Sequence, residues 1–210
     1  MKFTLHVVII ISLSLVCWSV TQAQNSSSQG KIAYDFNKLD GLPTFRSIPW
    51  GSSKSYILSN EDGIRLRTGS QYLILKDSLA GTAVEVKYFF WKEHLIKGVY
   101  ETFNNLGEYS SYFDRYDRIK DVLTEKYGEP LLDITNWKNM RYKNNPGRWI
   151  VAVRQGDLEH VAYWKLNYII ISARFASFNG TPKVQVEYLI DNFHSDLTKD
   201  ENTEILLDDL

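Results

Sequence analysis

One stretch limits what this chain can become more than any other. Tyr109, Tyr112, Tyr116, Ile119, Leu123 and Tyr127 recur three and four residues apart, so on a helix they form one stripe. Asp114, Arg118, Asp121 and Glu125 fall on the opposite side. Asn105 is placed to cap the start, with Glu108 three residues on in the capping-box position. Gly128 stands where a helix ends left-handed, and Pro130 forbids continuation. The spacing predicts a helix over 108–130. An aromatic stripe of this kind covers a sheet, and strand-like segments lie on both sides of it.

Upstream, Gly51 lets the chain turn, and Ser52 or Ser53 can cap a short helix that ends near Asn60. Residues 64–67 alternate as a half-buried strand does, and 71–76 form a second strand. Residues 82–91 and 95–103 make a hairpin turning near Lys92-Glu93-His94, with Val84, Val86, Tyr88 and Phe90 on one face. Downstream, 131–137 leads into a polar loop over 138–147, broken by Asn144, Asn145, Pro146 and Gly147. Residues 148–155, 158–166, 168–178 and 183–190 then read as four strands of a meander. Gly156-Asp157 and Asn179-Gly180 are its turn signals, the second favouring type I′. The expected fold is α+β: a mainly antiparallel sheet of about six to eight strands packed by one long and one short helix. The order suggests two helix-plus-strands halves, although their identity is too low for a repeat.

The N-terminus has the pattern of a cleavable secretory signal. Lys2 is its only charge, 5–16 is apolar apart from His6, Ser12 and Ser14, and Thr21-Gln22-Ala23 places cleavage before Gln24. The apolar run falls short of the about 20 residues that a membrane span needs, so an uncleaved anchor is disfavoured and no stable span remains after cleavage. The layout expected is a signal peptide over 1–23, a flexible leader over 24–43 with a short strand at 31–36, one α+β domain over 44–191 and an acidic, fraying tail over 192–210. Cys17 is the sole cysteine, and Val16 and Ser14 do not suit lipid attachment there. The mature chain therefore holds no disulfide and no thiolate metal site. With 24 Lys+Arg against 25 Asp+Glu, no basic excess exists to hold a phosphate backbone, and compartment argues the same way against nucleic acid. The localisation expected is secreted or periplasmic.

Residues able to do chemistry are scattered. His94, His160 and His194 lack metal-ligand spacing, and His160 shares a strand face with Leu158, Ala162 and Trp164, where a hydrogen-bonded core histidine is expected. No Gly-x-Ser-x-Gly elbow and no phosphate loop occurs. Asp114, Asp117 and Asp121 face water on the long helix, while Glu85, Glu101, Glu159 and Glu187 lie on strands. Of Trp50, Trp91, Trp137, Trp149 and Trp164, Trp91 beside the hairpin turn is the best candidate for an exposed ring; the rest are expected in the core. The most distinctive polar feature is the loop that carries Lys138, Arg141, Tyr142, Lys143 and Arg148. It gathers positive charge and an aromatic ring in a nearly neutral chain, which suits an acidic partner.

Phe45-Arg46 followed by Trp50-Gly51, the aromatic hairpin at Tyr88-Phe89-Phe90, Lys126-Tyr127-Gly128-Glu129-Pro130, Trp137 and Trp164 together resemble a family of uncharacterised secreted or lipid-anchored bacterial proteins. The resemblance spans about Phe45 to Asp191 and implies no activity. In plan the chain is also similar to small outer-membrane assembly lipoproteins and to tandem-domain β-lactamase inhibitor proteins. The expected function is a secreted, non-catalytic binding or interaction module of the envelope or extracellular space, without a cofactor, with a protein or acidic glycan as partner. Lys138, Arg141, Tyr142, Lys143, Arg148 and Trp91 are its candidate contacts. The competing expectations are a glycan hydrolase using paired strand carboxylates and an envelope assembly factor or enzyme-inhibitor-like protein.

Overall fold

The computed structural model describes residues 36–79, 82–102 and 108–191. Their eight strands pair antiparallel into one sheet: β1 Ile64–Thr68, β2 Tyr72–Leu79, β3 Thr82–Trp91, β4 His94–Thr102, β5 Leu132–Trp137, β6 Leu158–Leu166, β7 Ile169–Phe178 and β8 Thr181–Ile190. The order across the sheet is β1-β2-β3-β4-β8-β7-β6-β5. The chain builds inward from one edge, passes through a helix to the far edge, and builds inward again. The last strands of the two meanders, β4 and β8, therefore meet at the centre, with Gly98 opposite Tyr188. The fold is α+β, with helices α1 Lys54–Asn60, α2 Tyr109–Tyr127 and α3 Trp149–Gln155.

One face of the sheet makes the core. The row Leu73, Tyr88, Gly98, Tyr188, Ile171 and Trp164 runs across six strands. Each residue of it is buried, as period-2 alternation requires when one face is covered. Helix α2 buries Tyr112, Tyr116, Ile119 and Leu123, and Tyr112 stacks on Phe175 with centroids 5.4 Å apart. Asp114, Arg118, Asp121 and Glu125 are exposed, so the helix divides as its spacing predicts. Its C-terminus is Gly128 at φ 84, whose N–H donates to the Thr124 carbonyl at 2.8 Å. Glu108 occupies the N-cap without a side-chain bond, and Asn105 lies outside the described residues. Helix α1 starts on Ser53, whose hydroxyl accepts the Tyr56 N–H at 3.2 Å. Among the described residues no helix is long and apolar enough to cross a membrane.

Three local expectations give way. Residues 148–155 are not a strand: Pro146–Arg148 forms a 3-10 turn, and α3 follows. The run Trp149 to Val153 is continuously apolar, so periodicity does not separate helix from strand there. Gly156 then ends the helix rather than a hairpin. It is left-handed (φ 78), its N–H donates to Val153, and that of Asp157 donates back to Ala152, which is the Schellman arrangement. At β1 the alternation is present, yet every residue is exposed, because the strand lies at the sheet edge and is bulged between Arg65 and Arg67. Finally, Phe36 belongs to a 3-10 turn over Phe36–Leu39, and Leu39 is buried. The remainder of the strand expected over 31–36 lies outside the described residues.

The first meander is covered by a turn rather than a long helix. Arg46 and Ser47 both have positive φ (55 and 65), the backbone of a type I′ turn, with Phe45 bridged to Ile48. Both flanking side chains are buried, and Phe45 lands on Gly98. A Cβ at Gly98 would sit 2.2 Å from the Phe45 ring, so only glycine admits that approach. Tyr88, Tyr100 and Tyr188 ring the same phenylalanine at 4.9 to 5.4 Å.

Candidate functional site

The 138–148 loop leaves the end of β5 and returns into α3. Two tryptophans pinch its neck: Trp137 and Trp149 meet edge to face at 5.9 Å, and Trp149 also meets Tyr109 of α2 at 5.2 Å. Inside the neck the chain bonds to itself. Asn139 accepts the Arg141 N–H at 3.0 Å, the Lys143 N–H donates to Met140, the Asn145 N–H to Tyr142, and the Trp149 indole donates to the Lys143 carbonyl at 3.1 Å. Such bonds fix a loop before any partner arrives. Lys138, Arg141, Lys143 and Arg148 are exposed, and Arg141 lies over the Tyr142 ring at 5.1 Å. None of these four cations makes an ion pair among the described residues. By contrast Lys87, Lys97, Lys120, Arg174 and Lys183 on the helix and sheet are all engaged with carboxylates.

Trp91 does not join this loop. It ends β3 at the opposite end of the strands, with β4, β8, β7 and β6 between it and β5, and Lys92 lies over its ring at 4.0 Å. Trp50 and Trp164 are buried, and their indoles donate to the carbonyls of Pro43 and Gly128 at 2.9 Å. The five tryptophans are thus spread through the scaffold, and they line no common surface.

Behind the loop lies a neutral polar knot. His160 on β6 is buried, with its Nε2 2.6 Å from the Tyr109 hydroxyl and its Nδ1 2.9 Å from Thr135 Oγ1. A neutral imidazole carries one donor and one acceptor, and each hydroxyl can serve either, so both tautomers are satisfied. Phe113, Tyr116 and Phe175 enclose the ring. Burial, aided by the Lys120 charge and opposed by Asp133, pushes the imidazole down to about 4, so it is uncharged at neutral pH.

A second knot, under the first meander, is charged, and it lies outside the candidate site residues singled out from the sequence. Arg46 Nε donates to both oxygens of Glu61 at 3.1 and 2.9 Å, and its terminal nitrogen reaches Asp77 on β2. The Glu61 side chain is 5 % exposed. Asp77 is held below the ordinary carboxylate range by the Ser78 N–H and by Arg46, against the effect of burial. The signals that could have found this knot are Gly98 inside a strand, which marks a close approach, and the carboxylates spaced along 61–77.

The strand carboxylates lie on the other sheet face. Glu85 stands directly opposite Glu101, and Lys87 bridges them at 3.4 and 3.0 Å, with Lys183 also on Glu101. Burial alone would raise Glu101, but Lys183 and Lys87 outweigh it and hold the carboxyl low; Asn136 and Arg174 do the same for Glu159. Glu101 and Glu159 are thus held as ionised partners of cations, whereas a general acid needs its proton retained. The chain matches no protein-family model, no curated protein and no solved structure.

Proposed function

We propose that this chain is a secreted, non-catalytic binding module of the cell envelope or extracellular space, and that the 138–148 loop is its contact surface for an acidic partner. One observation supports this reading above the others: Arg141, Lys143 and Arg148 are exposed, and without counter-ions among the described residues, on a loop clamped by Trp137 and Trp149. A clamped loop loses little freedom on binding, and unpaired surface cations favour fast, charge-steered encounter with an anionic surface. Secretion follows from the N-terminal pattern, in which Lys2, the apolar run and Ala23 have the order of a cleavable signal.

The test is recovery of an acidic partner from an envelope extract by the native chain and by the Arg141→Glu/Lys143→Glu variant. Charge reversal is expected to weaken capture by at least about tenfold, equivalent to ~1.4 kcal/mol, with the unfolding midpoint unchanged. Equal recovery by both chains would clear the loop of the role.

A further inference from the structure

The two edges of the sheet are finished differently. At β1 a bulge and the exposed Arg65 and Arg67 blunt the ladder, the usual protection of an edge strand. At β5 the register with β6 runs unbroken from Leu132 to Trp137, with no lysine, arginine or proline in the strand. Leu131, Leu132 and Ile134 are 71, 45 and 41 % exposed. From Leu132 onward the Lys138 N–H to Asp157 carbonyl bond (2.8 Å) sets the phase of this edge, while the Leu131 N–H turns inward to the Tyr163 carbonyl (2.7 Å), so the outward ladder starts after it. Even-numbered residues exchange bonds with β6, so the N–H and C=O groups of Asp133 and Thr135 point away from the sheet.

We propose that this edge is closed by β5 of a second copy of the chain, antiparallel about a two-fold axis at Ile134. Outward-facing groups must meet outward-facing groups, so odd residues pair with odd residues, and the axes nearest the middle of the strand, which keep the longest ladder, are 133, 134 and 135. An axis at 133 sets Asp133 against Asp133. One at 135 sets Leu132 against Lys138 and Asp133 against Trp137. The axis at 134 sets Ile134 on Ile134, Asp133 on Thr135 and Leu132 on Asn136, with no like charges opposed. It also carries Glu129 of each copy to the neighbourhood of Lys138 of the other. Glu129 and Lys138 are both exposed and neither has an ion pair among the described residues, so the register brings opposite charges together as well as the two isoleucines. The pairing is independent of what the loop binds, because Arg141, Lys143 and Arg148 lie beyond the ladder.

Cysteine placement reads the register directly. In the full chain carrying Cys17→Ser, Ile134→Cys puts two thiols across a non-hydrogen-bonded pair, where α-carbons are about 4.5 Å apart and a disulfide closes. Leu132→Cys puts its two thiols about 14 Å apart along the strands. Under mild oxidation Ile134→Cys is expected to run as a covalent dimer and Leu132→Cys as a monomer. Absence of the cross-link at 134, or equal cross-linking at both positions, would overturn the proposal. In the native chain, light scattering is expected to give a dimer mass and Ile134→Lys a monomer mass with an unchanged circular dichroism spectrum. A native monomer, or a variant that stays dimeric, would equally sink it.

Discussion

Each meander of the sheet hides a polar knot under its cover, and the two knots use opposite chemistry. In the first, Arg46 binds Glu61 and Asp77 as ions. In the second, His160 stands uncharged between Tyr109 and Thr135. The first cover is a tight turn with a short helix, which leaves its charges partly reachable by water. The second is the long, aromatic α2, whose Phe113 and Tyr116 enclose the imidazole together with Phe175, and burial there favours the neutral ring. The contrast teaches that Glu61 and His160, equally buried, are kept by different means, an ion pair in one half and neutrality in the other, which makes the halves respond differently to substitution and to acid.

The largest effect is expected from breaking the charged knot on one side only. Arg46→Ala leaves the Glu61 carboxylate buried and unpaired, and should cost about 3 kcal/mol or more in a urea titration. The double variant Arg46→Met/Glu61→Leu removes both charges and should recover most of that loss. A midpoint that stays put in the single variant would mean the ions do not depend on one another.

Acid separates the halves next. Between pH 6.5 and about 4 the unfolded chain binds a proton at His160 that the folded chain refuses. Stability therefore falls as pH drops through this window, by an amount approaching roughly 3 kcal/mol at its lower end. Asp77 keeps its charge across the same window because its pKa lies below the ordinary carboxylate range. Stability against pH, measured for the native chain and His160→Gln, should differ in slope between pH 6.5 and 4 and run parallel above pH 7. Parallel curves throughout would show that the imidazole is not held neutral.

The smallest contrast lies within the second half. The Tyr109 hydroxyl is bonded to His160, whereas that of Tyr116 is buried without a hydrogen-bond partner among the described residues. Tyr109→Phe should cost about 1 kcal/mol, and Tyr116→Phe should cost nothing or gain a few tenths. Equal losses in thermal unfolding would place an unseen partner on Tyr116.

The same contrast explains what could be read from the residues alone. Helix α2 was legible because its stripe of tyrosines repeats over five turns, and β8 because Val184, Val186, Tyr188 and Ile190 alternate with polar neighbours up to an Asn-Gly turn. The position of His160 on the core side of β6 followed from the same alternation. The turn at Arg46-Ser47 was not legible, since neither residue is one that normally adopts two left-handed conformations in a row. Helix α3 was hidden by five apolar residues without a period. The candidate loop was visible as a charged stretch, but its Trp137–Trp149 clamp and its distance from Trp91 depend on strand order, which no local pattern carries.

The meeting of β4 and β8 at the centre has a consequence for how the chain reaches this form. Every other strand pair except that seam joins segments consecutive among the strands, so those pairs can close early as short-range events. The seam instead joins groups 82 residues apart, as the Val184 N–H and the Thr102 hydroxyl show. Loop-closure entropy must be overcome before that contact returns anything, so the rate of folding is set at the midline of the sheet, after both wings have begun to form.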